Sequence, residues 1–366
     1  MKRIAAFAIV LLLFFLFPHK VYAEKEKDYV QEFLSVLPTL AEEKIGDAVR
    51  DNEVSELVSV EYLARLVFDS FFSGVDEGAG DFFILLSLTV FFAVFSLLRE
   101  NINENIGKAA ENILLVVTAL TVYGLFSDGV DMGYSYIKDA KSFGNSLVPI
   151  TMGIYLMGGN AATAVTASAG AGAALICIEN LCSLALSPLL RVSFSLSLIG
   201  SIGKNLNYGV ICKQIRNAYM TLLGFFTMVL SASLSFGSVI SSSADTVAAR
   251  TVKYAIGNMI PIVGGTVNSS YGALSASVSM IKNTVGVSAV VALAIITIPV
   301  IVRLLLIRIS LNVCATVAEL LGCDRIGKLY TDFRSAYDLM LSAVVFVSLI
   351  FVIICSVFLR SAVAIG

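Results

Sequence analysis

Histidine is almost missing from this 366-residue chain, and the one copy, His19, falls in an N-terminal export segment. Once that segment is removed the mature chain has no imidazole. Ser-His-Asp catalysis, His-ligated zinc and haem ligation are then excluded together, and only Asp-, Lys- or Ser-based chemistry stays formally open. Tryptophan is absent, so an aromatic belt at a membrane surface falls to tyrosines such as Tyr123, Tyr134, Tyr219 and Tyr330. Charged residues are scarce too, at 14%, against roughly 25% in soluble domains. A net charge of -2 offers no basic face to nucleic acid. Six cysteines stand apart in apolar surroundings, with no CxxC pair and none in the acidic region after the export segment. That pattern is neither a disulfide framework nor a metal site and reads as buried packing thiols. With no P-loop spacing and no carboxylates paired for acid-base work, the sequence predicts no enzyme and no cofactor.

Apolar residues are what the chain has in quantity: 57% of it, with a mean hydropathy of +0.88. This is the composition of an integral membrane protein. Lys2 and Arg3 precede the apolar run Ile4 to Phe17, and Val21-Tyr22-Ala23 fits a small-residue cleavage rule. Residues 1–23 therefore read as a signal peptide cleaved after Ala23. The alternative, an uncleaved anchor, is short for a bilayer. In both cases Glu24 onwards starts outside the cytoplasm.

Residues 24–81 form an acidic extracytoplasmic segment. Val30, Phe33, Leu34 and Leu37 follow helical spacing and stop at Pro38. Leu63, Leu66, Val67 and Phe71 make a second apolar face behind Ser59, a helix N-cap. Two or three short helices of this kind are too few for an independent core. The head packs on the membrane domain or on a partner, unless it is a solvated cap with no specific role.

Residues 82–366 form the membrane domain. Apolar runs at 82–98, 112–126, 218–240, 288–307 and 339–359 read as spans. The excess of Lys and Arg at Arg99, Lys108, Arg191, Lys204, Lys213, Arg216, Arg308, Arg325, Lys328 and Arg334 belongs inside only if residues 145–188 cross an odd number of times. Met157-Gly158-Gly159-Asn160 and the small-residue run 161–174 fit either one crossing with a re-entrant pair or three short crossings. The fold class is thus all-α, a polytopic bundle of about six to eight spans. Residues 311–321, ending at a C′ glycine, Gly322, and the charge-alternating stretch 324–338 read as an interfacial hairpin before the last span.

Three places carry functional interest. Glu179 and Arg303 are ionisable groups in apolar runs, with interfacial placement as the competing reading for Glu179 and snorkelling for Arg303. The third is the stretch 250–287, broken by Gly257, Pro261, Gly264, Gly265 and Gly272. Interrupted helices are tolerated in lipid only where the freed backbone is covered or lines a cavity, and transporter sites are often built from them. A broken, re-entrant helix is expected here; the alternative is an external loop packed on the bundle.

With its signal peptide, acidic head, and AIGNMIPIVGGTVNSSYG followed by SMIKNTVGV, the chain resembles the stage III sporulation protein AE family of endospore-forming bacteria. The resemblance runs from about residue 25 to the end. It implies a component of a channel complex in the mother-cell membrane around the engulfed forespore, with the mature N-terminus outside the cytoplasm. Implied partners are the bilayer, other membrane and ring-forming products of the same sporulation operon, and, indirectly, a forespore membrane protein. The complex is implied to sustain late forespore gene expression. The family supplies no catalytic residues; its characteristic segment falls on Gly257, Asn258, Pro261, Gly264, Gly265, Lys282 and Asn283, read here as a path or gate. Competing readings are a stand-alone secondary transporter, which predicts an internal repeat and more buried charge, and a scaffold that anchors ring proteins.

Overall fold

A computed structural model describes residues 29–361 apart from 52–53, 55–56, 58, 99–103, 203–207 and 260–263. The signal peptide lies outside the described residues, as does Pro261. Among the described residues every regular element is a helix. Two short ones, α1 (29–36) and α2 (Thr39–Arg50), precede the long helices α3 (Val60–Leu98) and α4 (Glu104–Met157). Next comes α5 (Ala161–Ile178), which passes through a π-helical stretch, Glu179–Ala185, into α6 (Leu186–Ile202). The last three are α7 (Tyr208–Met259), α8 (Gly264–Leu320) and α9 (Asp324–Arg360).

Pro38 separates α1 from α2 and starts the latter, its carbonyl accepting the N–H groups of Ala41 and Glu42 at 2.8 and 2.9 Å. The apolar faces of the two helices, including Phe33, Ile45 and Val49, close over Phe143 and Ile150 of α4 and Val285 of α8. Of the two partners expected for the head, the membrane domain is the one it meets. Ser59 is the expected N-cap, its hydroxyl accepting the Tyr62 N–H at 3.1 Å. From there α3 runs unbroken out of the acidic region into the apolar run 82–98.

Six helical stretches are long and apolar enough to cross a membrane, and the chain is an integral membrane protein. The apolar runs read from the sequence lie inside helices much longer than themselves. The 54 residues of α4 extend ~80 Å at 1.5 Å per residue, against a hydrocarbon core of ~30 Å. Residues 145–188 resolve into the end of α4, a turn and one crossing by α5 and α6, neither three short crossings nor a re-entrant pair. The turn is built on Gly159, at φ 73°, with the Asn160 N–H closing back on the Tyr155 carbonyl at 2.9 Å. The small residues of α5 serve close packing: a Cβ on Gly170 would stand 2.6 Å from Leu234 Cδ2 of α7. Asp245 of α7 fastens the same helix by accepting the N–H groups of Ala162 and Thr163 at 2.9 and 2.8 Å.

Gly322 is the left-handed residue expected after α8, at φ 72°, and the Cys323 N–H reaches the Ala318 carbonyl at 2.8 Å. The hairpin around it is not a separate element, however. Residues 324–338 continue into the last span as one helix that buries Ile326, Leu329, Tyr330, Phe333 and Tyr337. Its alternating charges suggested a surface because their partners lie on other helices. α9 is the hub of the bundle, packing on α8, α7, α6 and α4. All six cysteines are free, five of them buried, as their apolar surroundings suggested.

Candidate functional site

Arg303 stands in α8 four residues beyond Pro299, where α3 comes close because Gly74 and Gly78 face it. A Cβ on Gly74 would lie 2.9 Å from Leu306 Cδ1, and one on Gly78 would lie 3.1 Å from an Arg303 guanidinium nitrogen. Across this contact Arg303 donates to the Asp81 carboxylate at 3.3 Å and to the Gly74 carbonyl at 3.2 Å, with Glu77 at 3.9 Å. With its side chain 16% exposed, Arg303 is tied between helices rather than snorkelling. Asp128 of α4 is near enough to repel Asp81. Beside this group a cavity of about 250 Å³ opens between α3, α4, α8 and α9, lined by Val75, Phe82, Val122, Leu306 and Tyr337.

Glu179, the other charge singled out from the sequence, opens the π-helical stretch and pairs with Lys141 of α4 at 2.8 Å. π-helical turns are rare and recur at functional sites. Here two carbonyls at the stretch are taken by side chains, Ile176 by the Asn180 amide at 2.9 Å and Leu181 by the Tyr219 hydroxyl at 3.0 Å. From Asp128 past Lys141 to Asn145 the outer face of α4 is polar: Asp128, Asp131, Ser135, Lys138, Asp139, Ser142 and Asn145 are all exposed. Glu179 and Arg303 thus sit at either end of a hydrophilic seam along α4 that sequence reasoning did not anticipate.

A third group was also missed. Asp338 of α9 holds Arg216 of α7 at 3.0 Å and Arg308 of α8 at 2.6 Å, and Arg216 also reaches Ser335 at 3.2 Å. At the start of the same helix, Arg325 pairs with Glu111 at 3.1 Å and Asn112 at 2.9 Å. Only the mixed polarity of 324–338 hinted at this. The broken segment is divided by the residues outside the description. Gly257 and Asn258 end α7, and Gly264 and Gly265 begin α8. Lys282 lies in α8, buried, and donates to the Ser361 carbonyl at the end of α9, while Asn283 beside it is exposed.

The model of the stage III sporulation protein AE family matches residues 43–362, which takes in both ion pairs and the broken segment. The chain belongs to that family. A relative of the same description from Bacillus subtilis (strain 168) is 21% identical over 339 residues, covering 90% of this chain and 84% of the relative. No solved structure matches. Family and helices together make this a stage III sporulation membrane protein.

Proposed function

We propose that the chain is a non-catalytic component of a transport or secretion-like channel complex that links mother cell and forespore and sustains late forespore gene expression. It sits in the mother-cell membrane around the engulfed forespore, with α1 and α2 on the extracytoplasmic side. Its partners are the membrane and ring-forming products of the same sporulation operon, and a forespore membrane protein indirectly. The observation that carries this reading is the hydrophilic seam of α4, ending in Lys141–Glu179 and Asp81–Arg303, on a bundle whose other outer faces are largely apolar. Charge inside a membrane domain marks a route for polar solutes or a protein contact. The orientation is supported by Lys108, Lys213, Arg325 and Lys328, which lie at the starts of α4, α7 and α9.

Affinity purification with crosslinking from membranes of sporulating cells tests it. Recovery of the operon's membrane and ring proteins, and loss of spores but not of the complex in Glu179→Lys, is the expected result. Recovery of this chain alone would replace the reading with an independent transporter.

A further inference from the structure

α6, α7 and α9 meet towards the end of the bundle where α7 and α9 begin. There the Phe194 ring of α6 packs edge-on against Phe333 of α9, with centroids 4.7 Å apart. The chain neighbours of these two rings, Ser193 and Asp332, are polar. From the third helix the Cys212 thiol donates to the Ser193 carbonyl at 3.5 Å, and its sulfur also meets the Ser197 hydroxyl. Asp332 is close enough to Cys212 for charges on the two to interact. Ser193, Ser197 and Cys212 are each at most 2% exposed. The junction is thus polar where water and lipid are shut out.

Two groups in it lack what their equivalents elsewhere have. Arg325, Arg334 and Asp338 of the same charged stretch all reach partners on other helices, and Asp324 and Lys328 are exposed. Asp332 is half-buried and forms no ion pair among the described residues; the opposite charge felt there is Lys328, one turn back on its own helix. Ser193 is the second. Elsewhere in the bundle, Thr89, Thr118, Ser197 and Thr227 each donate to the carbonyl one turn back at 2.8–2.9 Å. The Ser193 hydroxyl is fully buried and bonds to nothing among the described residues, a costly arrangement unless a ligand completes it. It stands on the same face of α6 as Ser197, the face turned to Cys212.

A cation satisfies both groups at once. Carboxylate and hydroxyl oxygens are hard ligands that suit a hard ion. A divalent ion draws more than one carboxylate, and no second acidic side chain joins Asp332 and Cys212 among the described residues. One carboxylate matches one positive charge. Serine side chains one turn apart, with Cβ atoms about 5–6 Å from each other, frame a small ion rather than a large one.

We propose that Asp332, Ser193 and Ser197 bind a monovalent cation of sodium's size between α6, α7 and α9. Asp332 supplies the charge, the two hydroxyls supply neutral oxygens, and water completes the shell on the side where Asp332 is open. The Cys212 thiol, a soft ligand, bounds the site without holding the ion. Ionisable groups inside membrane domains mark ion sites of this kind. The inference rests on the chain spanning a membrane and not on the channel reading.

The test uses full-length protein purified in detergent, its melting temperature followed as choline chloride is replaced by sodium chloride at constant ionic strength. Sodium is expected to raise it by roughly 3 °C or more, and potassium by about half of that or less. Asp332→Asn keeps the shape, removes the charge and should abolish the shift. Asp324→Asn, exposed at the start of the same helix, should keep it. Ser193→Ala removes the unpaired hydroxyl, so this variant should melt no lower than the parent in choline and yet be blind to sodium. Equal melting in sodium and choline would overturn the proposal, as would a sodium shift that survives Asp332→Asn. A shift driven by pH, lost in Asp332→Asn and indifferent to sodium, would make Asp332 a proton site and overturn it too.

Discussion

Residues 324–338 of α9 carry six charged side chains and residues 339–359 carry none, yet both stretches line the centre of the same bundle. The charged half is held by named partners: Arg325 by Glu111, and Asp338 by Arg216 and Arg308. The apolar half is held by shape. Phe351 fills the space left at Gly144, where a Cβ would stand 2.5 Å from its ring, and Leu359 does the same at Gly286. Ion pairs fix which residue of one helix meets which residue of another, whereas side chains seated on glycines fix how close two helices come. In the half rich in partners the helix register is set by chemistry, in the other half by volume.

The largest effect is expected where the charged half is broken. Asp338→Ala leaves the Arg216 and Arg308 guanidinium groups facing each other without an anion and should lower unfolding stability in detergent by about 1–3 kcal/mol, less than for a fully buried pair because the Arg308 side chain is 43% exposed. Replacing all three groups together, with Asp338→Leu, Arg216→Met and Arg308→Met, should recover most of that loss. Failure to recover it would show that the charges contribute energy as well as register. In the apolar half, Gly144→Val forces Phe351 and Leu175 aside and should cost about 1–3 kcal/mol, with no rescue by salt. Asp245→Ala, outside α9, removes the cap of α5 and should cost about 1 kcal/mol, as loss of a helix N-cap does. That loss should show as faster hydrogen exchange in the first turn of α5 alone. The smallest change in stability belongs to Lys141→Gln, which breaks an exposed pair worth about 0–1 kcal/mol. A spore yield that falls while the melting temperature holds would assign Lys141 to the work of the protein rather than to its fold.

What the sequence made legible was local. Pro38, Ser59 and Gly322 act through bonds to residues within a few positions, and each was read in its place. The apolar runs were read as well, but not the length of the helices that contain them. Asp128, Asp131, Lys138 and Lys141 interrupt α4 with charge, and a break in hydropathy looks like a loop. It is helix there because the opposite face of the same turns, Tyr136, Ile137 and Ala140, is buried against the core. Glu179 and Arg303 were singled out, but not their partners. Lys141 lies 38 positions from Glu179 in the sequence and Asp81 lies 222 from Arg303, and one sequence carries no signal across such distances. Asp245 went unnoticed for the same reason. It stands in a serine-rich stretch of α7, and only the helix opposite reveals it as a cap.

The position of α9 in the chain has a bearing on biogenesis. It is the last of the described helices to leave the ribosome, and every earlier long helix touches it, α3 through the Tyr330 hydroxyl, which donates to the Leu85 carbonyl at 3.2 Å. Until it inserts, Arg216 and Arg308 have been made and Asp338, the carboxylate that pairs with both, has not. The charges of α7 and α8 therefore cross before the helix that carries their carboxylate.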